Sequence, residues 1–408
     1  MISVEAARQR ILADLAPVAH EVVPLSASRG RVLFEDVTAR RSQPPAAVSA
    51  MDGYACRAAD VTQAPAQLRV VGRAPAGASY AGVVGSGETV RIFTGAPLPA
   101  GTDTIVIQEN VTAARNGAVG ETVTINEATA AGRFVRPEGL DFKSGAVGLR
   151  RGRRLTVRDM GLAAAMNRPW LTVHRRPRVA ILSTGDEVVA PGDPIGPNQI
   201  VSSNAVALTA FVEAMGGTPV DLGIAPDDAD ALGRMADASR GVDLLVTTGG
   251  ASVGDHDLVR DVLGQRGLAL DFWKIAMRPG KPLMFGRVQD VPLIGLPGNP
   301  VSTLVCAVLF IGPALDRLAG GPGDPPAIES AVLGIDLPAN DGREDYLRAV
   351  LERDSAGRQV VRPFGKQDSS MVGLLASADA LVRRMPHAPA IAAGGTVEMI
   401  RLASVPGL

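Results

Sequence analysis

The chain opens on a helical stripe. Val4, Ile11, Leu12 and Leu15 recur at spacings that place them on one helix face, and Ser3 stands where an N-cap belongs. A Pro-containing linker, RSQPPAAVSA, follows at 41–50. From about 50 to 140 the pattern becomes short alternating runs, QLRVVGRA, ETVRIF, DTIVIQEN and TVTINEA, separated by Gly/Pro clusters. This is the signature of a small all-β unit. A second helical pattern, TVRDMGLAAAM, lies within 141–175 and is expected to pack beside the first. The β unit at 46–140 is then an insertion in an N-terminal domain built from 1–45 and 141–175.

Between 176 and 320 apolar runs alternate with helical segments: RVAILST, NAVALTAFVEAMGG, TPVDLGIA, a helix to about 240, DLLVTTGG, then PLIGLPGNP and another helix. That βαβ rhythm predicts a parallel sheet covered by helices. The stretch 321–408 returns to short strands, DYLRAVLER, RQVVRPF and TVEMIRLA, and predicts a small β-barrel or sandwich. No fixed-period repeat is present.

Composition narrows the function. Hydrophobic residues make up 46% and charged residues 20%, which is globular rather than disordered. Lys+Arg at 41 against Asp+Glu at 42 gives no basic excess for nucleic acid, and 3% aromatics are too few to stack single strands. Cys56 and Cys306 are far apart and His20, His174, His256 and His387 are scattered, so neither a disulfide framework nor a His/Cys zinc site is expected. MISVEAARQR has no apolar signal region. The longest apolar stretch, Leu304 to Leu315, is broken by Gly312 and Pro313, short of the roughly 18 residues of a membrane span. A soluble, cytoplasmic protein without membrane partners is expected.

Three loops of the α/β region share one design. Each follows an apolar strand: Ser183-Thr184-Gly185-Asp186-Glu187, then Thr247-Thr248-Gly249-Gly250-Ala251-Ser252-Val253-Gly254, then Pro297-Gly298-Asn299-Pro300-Val301-Ser302. The C-terminal ends of parallel strands share an edge where ligands bind. Glycines admit an anion to the backbone, and hydroxyls and free N–H groups hold its oxygens. Asn299-Pro300 fits an N-cap and N1 pair. A single such loop is equally well an ordinary βα turn; three in one domain point to an anion. A P-loop is excluded because Ile275 stands where its first Gly would be, and no complete GxGxxG follows a strand.

Lys274, Arg278 and Lys281 form the main basic cluster, stiffened by Pro279 and Pro282. Asp186, Glu187, Asp227, Asp228, Asp255 and Asp257 surround the same region in sequence. Acids beside bases at anion loops suit a divalent cation bridging phosphate oxygens. Singly, each also has a plainer role, Asp227 or Asp228 as the N-cap of ADALGRMAD.

Six segments in this order, SAMDGYA at 49–55, RIFTGAPLP at 91–99, STGDE at 183–187, TTGGASVGDHD at 247–257, FWKIAMRPGKP at 272–282 and GLPGNPVS at 295–302, resemble the MoeA family of molybdopterin molybdenumtransferases essentially end to end. The family also occurs as the E domain of gephyrin and of its plant counterpart. The resemblance implies an elongated four-domain chain, a multidomain α+β and α/β fold with a central parallel-sheet molybdopterin-binding domain and small β domains on either side. It implies a homodimer whose active site lies between the α/β domain of one copy and the β unit of the other. It implies a molybdenum insertase that takes adenylylated molybdopterin and molybdate and releases AMP with Mg2+. Handover to molybdoenzymes or from an upstream adenylyltransferase is part of the same implication.

The resemblance also assigns residues. Asp52, Thr94, Asp141, Glu187, Asp228, Asp257, Lys274 and Lys281 match catalytic positions, with Glu187 and Asp257 as metal ligands. Ser183, Thr184, Gly185, Thr248, Gly249, Gly250, Ser252, Gly254, Arg278, Pro297, Gly298, Asn299, Pro300 and Ser302 match substrate positions, and Arg348 and Ser369 match a molybdate-handling pair in the last domain. Four departures stand out: Ala47-Val48 where the family has Asp-Asn, Leu140 where it has Glu, Arg278 where it has Lys, and Ser202 where it has Asp, with Asn204 kept. A non-catalytic molybdopterin-binding scaffold is the alternative. A nucleotide pyrophosphatase is weaker, since no water-activating base stands out.

Overall fold

The apolar runs between 178 and 296 form one six-stranded sheet in a computed structural model that describes residues 1–249 and 258–408. Its order is Thr218–Ala225, Arg178–Thr184, Leu244–Thr248, Val291–Leu296, Met284–Val288, Leu268–Phe272. The first four strands are parallel, as the βαβ rhythm predicts. The last two run antiparallel. Only Gln289 and Asp290 separate Met284–Val288 from Val291–Leu296, too short a link for a parallel crossover.

Alternation along each strand divides the core. Val179 and Ile181 face one cluster with Phe211, Phe310 and Leu315, while Ala180 and Leu182 face another with Leu232, Val262 and Leu263. Helix Asn204–Ala214 and the run 300–318 cover the first face; Ala229–Asp237 and Leu258–Gln265 cover the second. The expected break at Gly312-Pro313 does not occur. Helix Pro300–Cys306 passes through a π turn, Ala307–Ile311, into Gly312–Leu318. Pro313 then lies in the first turn of the last segment, where its missing N–H costs little. The resulting 19-residue run is long and apolar enough to cross a bilayer, but 83% of it is buried inside the protein, so it is a core helix. Phe310 at its centre is fully buried; truncating it to Ala is expected to cost about 3–5 kcal/mol.

The first helix, Val4–Asp14, forms with Ser3 as its cap, the Ser3 Oγ accepting from the Ala6 N–H at 3.1 Å. It does not pack beside the second helix. Val4, Ala7, Ile11 and Leu15 join the core of the α/β unit, where the long buried helix needs cover on the side away from the sheet. The second helix, Val157–Ala165, buries Ala163 in a separate cluster with Leu33, Leu149 and Val173. The chain segments flanking the β unit do meet: His20–Pro24 pairs antiparallel with Trp170–His174, and Val37–Thr38 with Val147–Leu149.

The β unit carries a six-stranded sheet drawn from residues 53–125. In the last region, strands Glu344–Arg353, Gln359–Pro363, Glu329–Leu333, Thr396–Arg401 and Ala380–Arg384 follow one another, and the fifth pairs back with the first. The sheet therefore closes into a barrel rather than a sandwich. Met277–Arg278 adds to its edge beside Glu344 and Asp345, so the basic segment is stitched to the barrel. Cys56 and Cys306 are buried free thiols, and burial pushes Cys56 up to about 12.

Candidate functional site

Parallel pairing sets three strand ends side by side. Ser183 is in register with Thr248, and Thr248 with Leu296. The three glycine loops therefore leave the sheet as neighbours. Gly249 has φ +90, and a Cβ there would stand 2.5 Å from the Thr184 carbonyl oxygen. Only glycine fits both constraints. A Cβ on Gly298 would lie 3.6 Å from the Gly249 Cα.

At these strand ends the Ser183 Oγ, Thr184 Oγ1 and Thr247 Oγ1 are buried without a hydrogen-bond partner among the described residues. Each such hydroxyl costs about 1–3 kcal/mol when left unpaired. Three at one sheet edge mark a seat for a ligand's polar atoms. Thr248 differs. Its Oγ1 accepts from the Asn204 Nδ2 at 2.8 Å, and the same Nδ2 donates to the Gly298 carbonyl at 2.8 Å. Asn204 thus ties the second loop to the third. Sequence reasoning noted it only as a kept Asn, because no spacing rule connects 204 with 248 and 298.

Asn299 occupies the N-cap position and Pro300 the first turn, as expected. The Asn299 side chain does not cap the helix, however; it donates to the Ser369 Oγ at 2.7 Å, while the Val301 N–H donates to the Ser369 carbonyl at 3.1 Å. Thr303 Oγ1 donates to the Pro297 carbonyl at 2.6 Å and so closes the loop instead. Ser302 is buried beneath it. Arg348 reaches the same place from the barrel. It is 1% exposed, forms no ion pair among the described residues, and donates through Nη1 to the Asp368 carbonyl at 2.6 Å. Burial lowers its pKa.

The acids divide by role. Glu187 is exposed and folds back over Gly185, where a Cβ would meet its Oε2 at 2.4 Å; no hydrogen bond or ion pair engages its carboxylate among the described residues. Asp186 Oδ1 accepts from the Asp227 N–H at 3.0 Å and shapes the loop. Asp228 caps Ala229–Asp237 through the Ala231 N–H at 2.7 Å, so its geometry is that of a helix cap. The expected residues Gly250, Ser252, Gly254 and Asp257 lie outside the described residues. Among the described residues no three His, Cys, Asp or Glu side chains cluster. Glu187 supplies one unengaged carboxylate beside these loops, a hard oxygen donor of the kind divalent cations take, and by itself not a full ligand set.

A cavity of about 440 Å3 opens beside the first loop, lined by Gly185, Asp186, Ser202, Asp221, Gly223 and Pro226. Another cavity, of about 660 Å3, lies elsewhere, near Arg29, Arg176, Phe211 and Asp316. Arg176 precedes the strand Arg178–Thr184 at its other end, so that cavity stands away from the loops.

The basic cluster separates. Lys274 places its Nζ 4.4 Å from the Trp273 ring centroid, and Lys281 is exposed. Arg278, expected to hold substrate, is engaged instead with barrel acids. It pairs with Asp341 at 3.2 Å and with Asp345, and reaches the Asn340 Oδ1 at 3.4 Å. Register explains this, since Arg278 stands opposite Asp345 where the basic segment joins the barrel.

In the β unit, Asp52 Oδ1 accepts from both the Thr94 N–H at 2.7 Å and the Thr94 Oγ at 2.8 Å. These two bonds, the backbone one first, hold its carboxyl below the usual range. Among the described residues Asp141 bonds only through its backbone N–H, to the Gln43 carbonyl at 2.9 Å. Among the described residues no hydrogen bond or ion pair links 46–141 to any residue beyond 176. Within one chain, Asp52 and Thr94 are bonded to each other, and among the described residues no hydrogen bond joins Asp141 to either of them or any of the three to the loops.

Comparison with known proteins bears on this two-part layout. Residues 2–167 match the family model described as the MoeA N-terminal region (domain I and II), 180–317 match a probable molybdopterin binding domain, and 330–402 match the MoeA C-terminal region (domain IV). A Mycobacterium tuberculosis protein named molybdopterin molybdenumtransferase 2 is 36% identical over 96% of this chain and 97% of its own length. The chain belongs to the MoeA family. A Haemophilus influenzae molybdopterin molybdenumtransferase is 33% identical over 97% of this chain and 98% of that protein. The crystal structure of a MoeA molybdopterin biosynthesis protein from Pyrococcus horikoshii superposes with a TM-score of 0.85 at 30% identity, covering 98% of this chain and 99% of that one. This MoeA-family chain therefore has the four-domain fold over its whole length, and its departures have visible places. Val48 is a buried strand residue paired with Arg136, and Ser202 lines the cavity beside the first loop.

Proposed function

We propose that this protein is a molybdenum insertase, which takes adenylylated molybdopterin and molybdate and releases AMP in a Mg2+-dependent step. As a MoeA-family member it has a role in molybdenum cofactor biosynthesis as a transferase, in line with the names of its relatives. The observation that carries the finer reading is the meeting, at one sheet edge, of three glycine loops and three buried hydroxyls without partners among the described residues, with the buried Arg348 of the barrel joined to the third loop through Asp368 and Ser369. Such a site is built for a ligand with several anionic oxygens.

In this reading the loops at 183–185, 248–249 and 297–299 hold the pterin-side phosphate and its partner oxygens. Lys274 and Lys281 draw in molybdate and offset charge developing on the leaving AMP. Glu187, with Asp257, would hold Mg2+, which supplies screening of the phosphates being parted. Asp52 and Thr94 form a pre-set carboxylate with no hydrogen bond to the loops of its own chain among the described residues, and in this reading a second copy of the chain brings it to the site. The test is AMP release from adenylylated molybdopterin with purified protein. Release that requires molybdate and Mg2+ supports the insertase; tight pterin binding without release supports the scaffold reading.

A further inference from the structure

Among the described residues Arg348 is the largest fully buried side chain, and no carboxylate forms an ion pair with it. The Asp368 carboxylate acts on it only through space, and a buried guanidinium without a contacting counterion is costly unless neutral acceptors hold it in place. The group that does so is Gln367, a residue that neither the loop design nor the family resemblance singled out. Its Oε1 accepts from the Arg348 backbone N–H at 3.0 Å and from the Arg348 Nε at 3.2 Å. Its Nε2 donates to the Arg348 carbonyl at 3.0 Å and to the Phe364 carbonyl at 2.9 Å. The amide makes two accepting and two donating bonds, so its full hydrogen-bonding capacity is used. That also fixes its orientation: turned over, it would set NH2 against two N–H donors and oxygen against two carbonyls.

The clamp acts on the site. Arg348 Nη1 donates to the Asp368 carbonyl, the residue between Gln367 and Ser369. Ser369 in turn receives the Asn299 Nδ2 through its Oγ and the Val301 N–H through its carbonyl. Three consecutive residues, 367 to 369, thus connect the barrel arginine to the third anion loop. The remaining terminal nitrogen of Arg348, Nη2, has no hydrogen-bond partner among the described residues and is the donor left for a ligand.

We propose that Gln367 is a positioning residue for oxyanion binding: it holds the Arg348 guanidinium, aimed and engaged in no ion pair among the described residues, beside Ser369 and the loop at 297–301. A neutral amide is the suitable clamp because a carboxylate in its place would be an internal counterion and would compete with the incoming anion. This inference rests on the insertase reading above, in which that anion is molybdate.

The test is equilibrium binding of sodium molybdate to the full-length protein, with sulfate as a second oxyanion, for wild type, Arg348→Ala, Gln367→Glu and Gln367→Met. Melting curves accompany each variant. Arg348→Ala is expected to weaken molybdate binding by more than about tenfold. Gln367→Glu should match that loss, although it keeps the size of the side chain, because it neutralises the arginine in place. Gln367→Met, which removes the clamp without adding charge, should lose about three- to tenfold. It also carries the test if the glutamate variant melts below the assay temperature. In turnover, both Gln367 variants should raise the molybdate concentration for half-maximal rate more than they lower the maximal rate, a split that simple loosening of the barrel would not produce. Wild-type affinity in the Gln367 variants, with loss confined to Arg348→Ala, would overturn the inference and leave the insertase reading intact. Unchanged binding in Arg348→Ala, or none in wild type, would overturn the assignment of oxyanion binding to this place and the inference with it.

Discussion

Asn204 and Gly298, far apart in sequence, are joined by a 2.8 Å hydrogen bond from the asparagine amide to the glycine carbonyl. The same amide nitrogen holds the Thr248 hydroxyl. One side chain at the start of a helix thereby fixes the spacing of two ligand loops that leave different strands. Asn204→Ala leaves a hydroxyl and a carbonyl short of a partner. A stability loss of about 1–3 kcal/mol is expected, together with a fall in AMP release of about 10–100-fold because the loops lose their register. Thermal melting and turnover, measured on the same preparation, check the two parts separately.

Gly249→Ala is a sharper perturbation of the same loops. The new Cβ would stand 2.5 Å from the Thr184 carbonyl oxygen at a φ of +90. Backbone must move, since neither atom is the end of a flexible side chain. Activity should be lost while the chain still folds, because the strain of about 1–3 kcal/mol is local to the loop. Pterin binding monitored by fluorescence quenching is the direct readout, and an alanine variant that binds as well as wild type would contradict the close-approach account.

Thr94 sets the charge of Asp52. Removing the hydroxyl bond in Thr94→Val while keeping the backbone one should let the Asp52 pKa rise toward its ordinary value. A step that needs ionised Asp52 would then fail at higher pH than before. The acid limb of the rate profile should move upward in Thr94→Val and stay in place in Thr94→Ser. An unmoved limb in Thr94→Val would remove Asp52 from the rate-determining chemistry.

Asp341 offers a pH test of the join between the basic segment and the barrel. Arg343, through its side chain and then its backbone N–H, holds the Asp341 carboxyl down at about 2, with Arg278 adding to the effect. A carboxyl depressed in the folded state stabilises above its unfolded pKa of about 4 and loses that contribution as pH falls toward 2. Asp341→Asn should therefore melt lower than wild type at neutral pH, and the gap should close between about pH 4 and 2. A gap that persists at pH 2 would mean that the loss is not electrostatic.

Much of this layout is legible in the sequence where a local rule applies. Val179 to Leu182 alternates between two cores, and the strand-loop-helix rhythm sets Thr184, Gly249 and Gly298 at one edge. What escapes is long-range. The first helix carries a readable stripe, but nothing in Val4, Ile11 or Leu15 says that its partner is the helix at 300–318 rather than the one at 157–165. Pro313 reads as a breaker because a π turn leaves no composition signal. Arg278 reads as a free cation because its partners, Asp341 and Asp345, lie in another domain. Asn204 and Gln367 escape for the same reason: amide side chains gain their roles only from the backbone atoms that folding brings to them.

The central claim is that the loop edge performs molybdenum insertion coupled to AMP release. The most direct measurement is AMP released from adenylylated molybdopterin, with and without molybdate and Mg2+, comparing wild type with Glu187→Gln. Release that needs both additions and falls by at least about 100-fold in the variant is the predicted result. Release that proceeds equally without molybdate, or is untouched in Glu187→Gln, would contradict it.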